Sequence, residues 1–280
     1  RILRQVLKSV ILVGLFGAPL LALLPRLNLS RRRHFVLIAV NLGVLALTWW
    51  AGKAFPFGGN YVYNLGLGPP LLSDVYRFGL SAPGALPGWV LLVVQLGGQL
   101  GGSYLLLHLW RRFRAGADGF AWFLLLLLVA YFVLMSVVTF FDRYLLLPGC
   151  IVFLLLAPCV RVPAARWRGA LYAAGVLLLG WYSVTGTHAY LNWNRTRLAL
   201  YEALRAEGIP TEQVDGGHEL NAWYADLDTP REDKWWFVPD GRYVITFQPV
   251  PGYAIYRRMT YGDYLQPGEQ ALYVLRRQAE

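Results

Sequence analysis

The segment Phe140–Cys150, FFDRYLLLPGC, sets an Asp-Arg-Tyr triplet at the mouth of an apolar run. A charged side chain costs roughly 2.5–3.5 kcal/mol at the centre of a membrane-spanning helix and far less at its edge. At that edge an arginine can meet a charged lipid head. The planar guanidinium of Arg143 can donate a fork of hydrogen bonds to a phosphate, the Tyr144 hydroxyl can add another donor, and Asp142 can orient the arginine. The same triplet fits a second role, a self-neutralised Asp-Arg pair marking a helix boundary. Spacing alone leaves both roles open.

Other residue types bear on chemistry elsewhere. The segment Phe55–Tyr76, FPFGGNYVYNLGLGPPLLSDVY, combines glycines that permit tight turns with Tyr and Phe residues suited to a headgroup-level belt or a sugar platform. Asn60 within it and Lys53 just before it join the candidate substrate-binding residues, and Lys53 can equally snorkel its ammonium to the membrane surface. In QLGGQLGG the pairs Gly97/Gly101 and Gly98/Gly102 allow close helix crossing, while Gln95, Gln99 and Ser103 share one helical face as interhelical glue. His188, Asp215, His218 and Glu219 follow no metal-ligand spacing and read as structural, so no metal is expected. Cys150 and Cys159 lie in one apolar run and read as core thiols. Asn194-Arg-Thr196 and Asn28-Leu-Ser30 fit the glycosylation sequon, a match frequent by chance. The sequence carries no P-loop, dinucleotide fingerprint, nucleophile elbow or metalloprotease motif.

The elements that must position these residues follow from composition. Of 280 residues, 56% are hydrophobic and 15% charged, a balance that fits a polytopic membrane protein better than an ordinary soluble domain. The formal net charge of +10 is uneven: residues 1–184 hold 16 Lys+Arg against three acids, and residues 185–280 hold 10 against 13. The basic excess therefore flanks membrane segments, and no nucleic-acid partner is expected. Apolar runs of spanning length cover about Val6–Leu24, Phe35–Ala51, Trp89–Trp110, Phe120–Phe140, Tyr144–Val160 and Gly169–Val184, the last able to run on. Arginines crowd the loops after the first, third and fifth runs, which places those loops in the cytoplasm. The Asp-Arg-Tyr turn, the Gly52–Gly88 loop and everything after Val184 then lie outside. Beyond that point, a helical run ending at Gly208 precedes RYVITFQPV, YAIYRR and ALYVLRR, which read as strands between Pro/Gly turns. The expected architecture is mainly α, a polytopic membrane helix bundle over residues 1–184, with a small extracytoplasmic α/β domain over 185–280.

FDRYLLLPGCIVFLLL resembles the Arg-Tyr-Leu-Leu-Pro segment that opens a late span in polytopic glycosyltransferases of the GT-C class, which include the protein mannosyltransferase-like and lipid A aminoarabinose transferase-like families. FPFGGNYVYNLGLGP resembles an outer loop of uncharacterised bacterial members, and GTHAYLNWNRTRLALYEALRAEGIPTEQVDGGHELNAW resembles the start of their tail domain. The resemblance implies a sugar carried on a polyprenyl phosphate, an outer-face carboxylate as general base, and inverting attack at the anomeric carbon. It implies no cofactor beyond that donor. The partners would be membrane lipids, the lipid-linked donor and an acceptor of protein, lipid or glycan nature, and the location a bacterial inner membrane of the cell envelope. The family's Asp-Glu type catalytic motif in the first outer loop has no counterpart here, so the base is expected upstream and this chain alone is expected to be inactive. A non-catalytic membrane scaffold or assembly partner with an outer binding domain is the alternative. A transporter fits less well, because the spans lack buried acids.

Overall fold

The computed structural model describes residues 2–52, 72–80, 87–135, 142–162, 165–224, 238, 241–264 and 268–278. Its fold is mainly helical, with several long apolar helices and a small C-terminal sheet. It divides into two compact units, Arg1–Tyr63 with Leu86–Tyr182, and Asn64–Ala85 with Ser183–Glu280.

In the first unit the apolar runs form α1 (Ile2–Gly17) and α2 (Arg31–Trp50). A short helix, α3 (Ser73–Tyr76), belongs to the second unit. The first unit then continues with α4 (Gly88–Arg114), α5 (Gly119–Met135), α6 (Leu146–Leu156) and the first part of α7 (Arg166–Ala206). Local chemistry sets their ends. Ser30 caps α2 by accepting from Arg33 N–H at 3.4 Å, and Asp118 caps α5 by accepting from Ala121 N–H at 2.7 Å. Three arginines in the last turn of α4 complement the partial negative charge of its C-terminus. Pro148 falls in the first turn of α6, where its missing N–H leaves no helical bond unmade.

α1 and α4 cross with their backbones almost touching. A Cβ on Gly98 would stand 2.6 Å from Ile11 O, and one on Gly101 would stand 2.6 Å from Gly14 O. Gly97 faces open space, so the contact stripe is Gly98, Gly101 and Gly102 against Gly14. On a neighbouring face, Gln95 donates to Thr48 at 2.8 Å and Ser103 donates to Asn41 at 3.2 Å, tying α4 to α2 as interhelical glue does. A core of Leu24, Leu105, Leu124, Ile151, Leu155 and neighbours joins α4, α5 and α6. The outward faces stay apolar: Phe35, Trp50, Leu126 and Leu177 are all exposed. Large exposed apolar area of this kind marks a face meant for lipid or protein. Among the described residues, four helical segments are long and apolar enough to cross a membrane, Gln5–Ala22, Arg31–Trp50, Gly88–Arg114 and Arg166–Ala206, and α5 and α6 are shorter apolar helices.

The sixth apolar run, which the sequence left able to run on past Val184, does so. α7 is one helix of 41 residues, about 60 Å at 1.5 Å per residue. No proline occurs between Pro163 and Pro210, so nothing interrupts the backbone ladder. It stops where Gly208 takes φ 76°, with Ile209 N–H returning to Leu204 O at 3.1 Å.

In the second unit the end of α7 packs on a four-stranded sheet of β1 (Val214–Asp215), β2 (Tyr243–Thr246), β3 (Tyr253–Tyr261) and β4 (Gln270–Arg277), in the order β1-β2-β4-β3. β1 runs parallel to β2, and the other pairs are antiparallel, with Ile245 opposite Val274 and a bulge between Ile255 and Arg257. Trp193, Leu200, Tyr201 and Leu204 of α7 meet Val214, Ile245, Leu272 and Val274 in one core. The short helix α8 (His218–Tyr224) follows β1. Leu72, fully buried, belongs to the same core, so the segment before α4 contributes to the C-terminal unit.

Candidate functional site

The Asp-Arg-Tyr triplet forms a 3-10 turn, Asp142–Leu145, that leads directly into α6. Tyr131 of α5 donates its hydroxyl to the Tyr144 carbonyl at 2.7 Å, and Leu145 is buried, so the turn is fastened to the helix before it. The turn also packs against α1. That helix carries three buried polar residues, Gln5, Lys8 and Ser9, on one face, with Ser9 donating to Gln5 O at 2.8 Å. Lys8 is only 9% exposed, a buried cation not among the residues singled out from the sequence. The signal was present in the polar spacing at i, i+3 and i+4 within an otherwise apolar run. Of the residues singled out from sequence, Tyr144 is half-buried in the turn. The side chains of Asp142 and Arg143 lie outside the described residues, as do Lys53 and Asn60 entirely.

A second polar cluster lies inside the C-terminal unit. Ser73 opens α3 and donates its hydroxyl to Asp215 Oδ2 at 2.5 Å. Asp215 Oδ1 also accepts from Asn221 Nδ2 at 2.9 Å and Gly217 N–H at 3.2 Å, and Asn221 Oδ1 accepts from Gly216 N–H at 2.9 Å. Gly217 takes φ 89°, which lets the chain turn tightly around the carboxylate. The neighbouring Asp74 is fully buried, and its Oδ2 accepts from Phe247 N–H at 3.1 Å. Burial pushes the Asp74 carboxyl up from 3.8 to about 6, against the opposing pull of hydrogen bonds from Phe247, Val75 and Gln248. A carboxylate that titrates near neutrality is a general-base signature when it faces a cleft. Asp74 instead sits at 0% exposure and ties the Leu72–Leu80 segment to the end of β2. Its work here is anchoring, a role the sequence did not reveal because the partner lies 173 residues away.

Comparison of the chain with protein-family models, with curated proteins and with solved structures finds no match.

The four residues weighed as metal ligands are held by separate partners. Asp215 belongs to the Ser73–Asn221 cluster, Glu219 accepts from Arg197 at 2.9 Å, and the His188 ring stacks against Tyr264 at 4.7 Å; the His218 side chain lies outside the described residues. Among the described residues no three His, Cys, Asp or Glu side chains converge. Arg197 is 3% exposed, donates also to Asn194 Oδ1 at 2.8 Å and stands 4.9 Å from the Trp193 ring centroid. The cation–π contact steadies Arg197 within α7, and its ion pair with Glu219 ties α7 to α8. Burial pushes the nearby Tyr201 hydroxyl up to about 12, so it stays neutral inside the core.

Proposed function

We propose that this chain is part of a membrane glycosyltransferase that moves a sugar from a polyprenyl-phosphate donor to an acceptor at the outer face of a membrane. The observation that carries the reading is the Asp142–Leu145 turn, an Asp-Arg-Tyr motif pinned by Tyr131 at the junction of two apolar helices and packed on α1. In a membrane, a guanidinium at such a junction would meet lipid phosphates at headgroup height. In the transfer, the acceptor oxygen loses its proton to a carboxylate as it bonds to the anomeric carbon. The bond from that carbon to the phosphate oxygen breaks, its electron pair leaves on the phosphate, and the configuration inverts. A cation beside the phosphate lowers the barrier because negative charge grows there in the transition state. Arg143 takes that part, with Tyr144 and Lys53 as further donors and Asn60 as a sugar contact. Asp74 is excluded as the base by its enclosure.

The membrane setting is part of the proposal, and the long apolar helices and their exposed apolar faces support it; the placement of the C-terminal unit outside the cytoplasm rests on the alternation of arginine-rich loops alone. The test is sugar transfer by the intact protein in proteoliposomes, supplied with labelled polyprenyl-phosphate sugars. Donor-dependent labelling of an acceptor fraction is expected, and no transfer from any such donor overturns the reading. One observation favours the scaffold alternative. β3 is an outer strand of the sheet and exposes Ile255 and Tyr256, features suited to binding another chain. A folded protein that captures a partner on that strand and transfers no sugar would decide for the scaffold.

A further inference from the structure

A groove of about 630 Å³ runs along the first unit between α7 and the chain that follows α1. One wall is Leu15, Pro19 and Ala22, and the other is Trp167, Leu171 and Leu178. Its floor is the contact of Gly175 with Pro19, so close that a Cβ on Gly175 would meet Pro19 Cγ at 2.8 Å. The lining is apolar except at one end, where Arg26 and Arg168 enter and, among the described residues, no acidic residue does. Arg168 gives one N–H to Leu24 O, which fixes its guanidinium at the groove mouth. An arginine has five N–H donors, so this leaves capacity for an anion.

The dimensions point to an occupant. From Arg168 to Leu178 the groove follows ten residues of helix, about 15 Å. That is half the ~30 Å hydrocarbon thickness of a bilayer, the depth of one leaflet. Trp167, at the cationic end, is the aromatic type enriched at headgroup level. The Asp142–Leu145 turn lies at the opposite end of α6, whose far end returns to this region through the Arg161 N–H bond to Leu23 O at 2.9 Å. The groove mouth is therefore separate from the turn assigned to the sugar donor.

We propose that this groove holds one anionic phospholipid of the leaflet on the Arg26 side, its phosphate between Arg26 and Arg168 and one acyl chain along Leu171, Gly175 and Leu178. Two cations match a phosphate with an additional negative or neutral head better than a zwitterionic choline head, whose own cation they repel. The inference rests on the membrane setting of the proposed function and is independent of sugar transfer.

The experiment reconstitutes the intact protein with equimolar phosphatidylglycerol and phosphatidylcholine, extracts it gently and weighs the retained lipid by native mass spectrometry. Each arginine near the surface is worth about fivefold in affinity for anionic lipid, so phosphatidylglycerol should be retained over phosphatidylcholine by about 25-fold. Arg26→Gln, at an exposed position, should lower that preference about fivefold, and Arg111→Gln, in the last turn of α4 and away from the groove lining, should leave it unchanged. Equal retention of the two lipids overturns the proposal without any variant. So does an equal loss in Arg26→Gln and Arg111→Gln, or displacement of phosphatidylglycerol by equimolar polyprenyl phosphate. Sugar transfer without selective lipid retention would sink this inference alone, and selective retention without transfer would sink only the proposed function.

Discussion

Replacing Asp74 by asparagine probes how the loop before α4 is built into the C-terminal unit. The carboxyl is fully buried and burial raises its pKa from 3.8 to about 6. A shift of about two units corresponds to roughly 3 kcal/mol, at 1.36 kcal/mol per unit. The folded protein holds this proton more tightly than the unfolded chain, so folding takes up a proton between about pH 4 and pH 6. The stability contributed through Asp74 is fully present below about pH 4 and is lost as the pH rises through 6. Asparagine keeps an acceptor for the Phe247 N–H and never charges, so Asp74→Asn escapes this loss. The assay is thermal unfolding of the wild type and Asp74→Asn side by side from pH 4 to pH 7.5, followed by intrinsic fluorescence. Other carboxylates contribute equally to both proteins, so the informative quantity is the difference between them. Asp74→Asn should gain on the wild type with rising pH, most steeply between pH 4 and 6, by up to about 3 kcal/mol. A constant difference across the range, or a wild type that gains on the variant as the pH rises, would refute the reasoning, because it would mean that the charged carboxylate is stabilised by a partner.

Three further outcomes follow from named contacts. Gly101→Leu should weaken the first unit by about 1–3 kcal/mol or prevent its assembly, since its Cβ would meet Gly14 O at 2.6 Å, while Gly97→Ala, facing open space, should leave thermal stability unchanged. Glu219→Gln should cost about 3 kcal/mol by leaving the buried Arg197 without its counter-charge, and Arg197→Met with Glu219→Gln should restore most of that in a denaturant titration. Reporter fusions after Val184 should be active only outside the cytoplasm, as the alternation of arginine-rich loops requires.

Helices α2 and α4 were legible because their apolar runs are long, uninterrupted by internal proline and flanked by arginine or glycine; they appear where Phe35–Ala51 and Trp89–Trp110 indicated. The strands were legible in RYVITFQPV, YAIYRR and ALYVLRR because β-branched and aromatic residues are enriched there between turn residues. The continuity of α7 was harder to see, since Tyr182–Arg197 mixes Gly, Thr and Asn with apolar residues and only the lack of proline marks it as unbroken. β1 is two residues long and has no periodicity to read. The Ser73–Asp215 bond joins residues 142 apart, and no local pattern encodes a contact at that separation. The glycine stripe was half legible: small-xxx-small spacing indicated the close crossing, but which glycines face α1 depends on how α4 is rotated, and that is decided by the partner helix. At the candidate site the sequence picked out the Asp-Arg-Tyr turn and missed Lys8, whose burial depends on the helices packed around α1.

The most direct test of the proposed transfer is its rate as a function of Arg143 in the intact, folded protein, with the polyprenyl-phosphate donor varied. Losing hydrogen bonds to a charged group costs roughly 1.5–3 kcal/mol, so Arg143→Ala should lower kcat/KM about ten- to a hundredfold. Arg143→Lys should recover only part of this, because an ammonium keeps the charge and loses the planar fork. If Asp142→Asn with Arg143→Gln folds and transfers sugar at the wild-type rate, Arg143 does not hold the carrier phosphate and the triplet is a helix boundary.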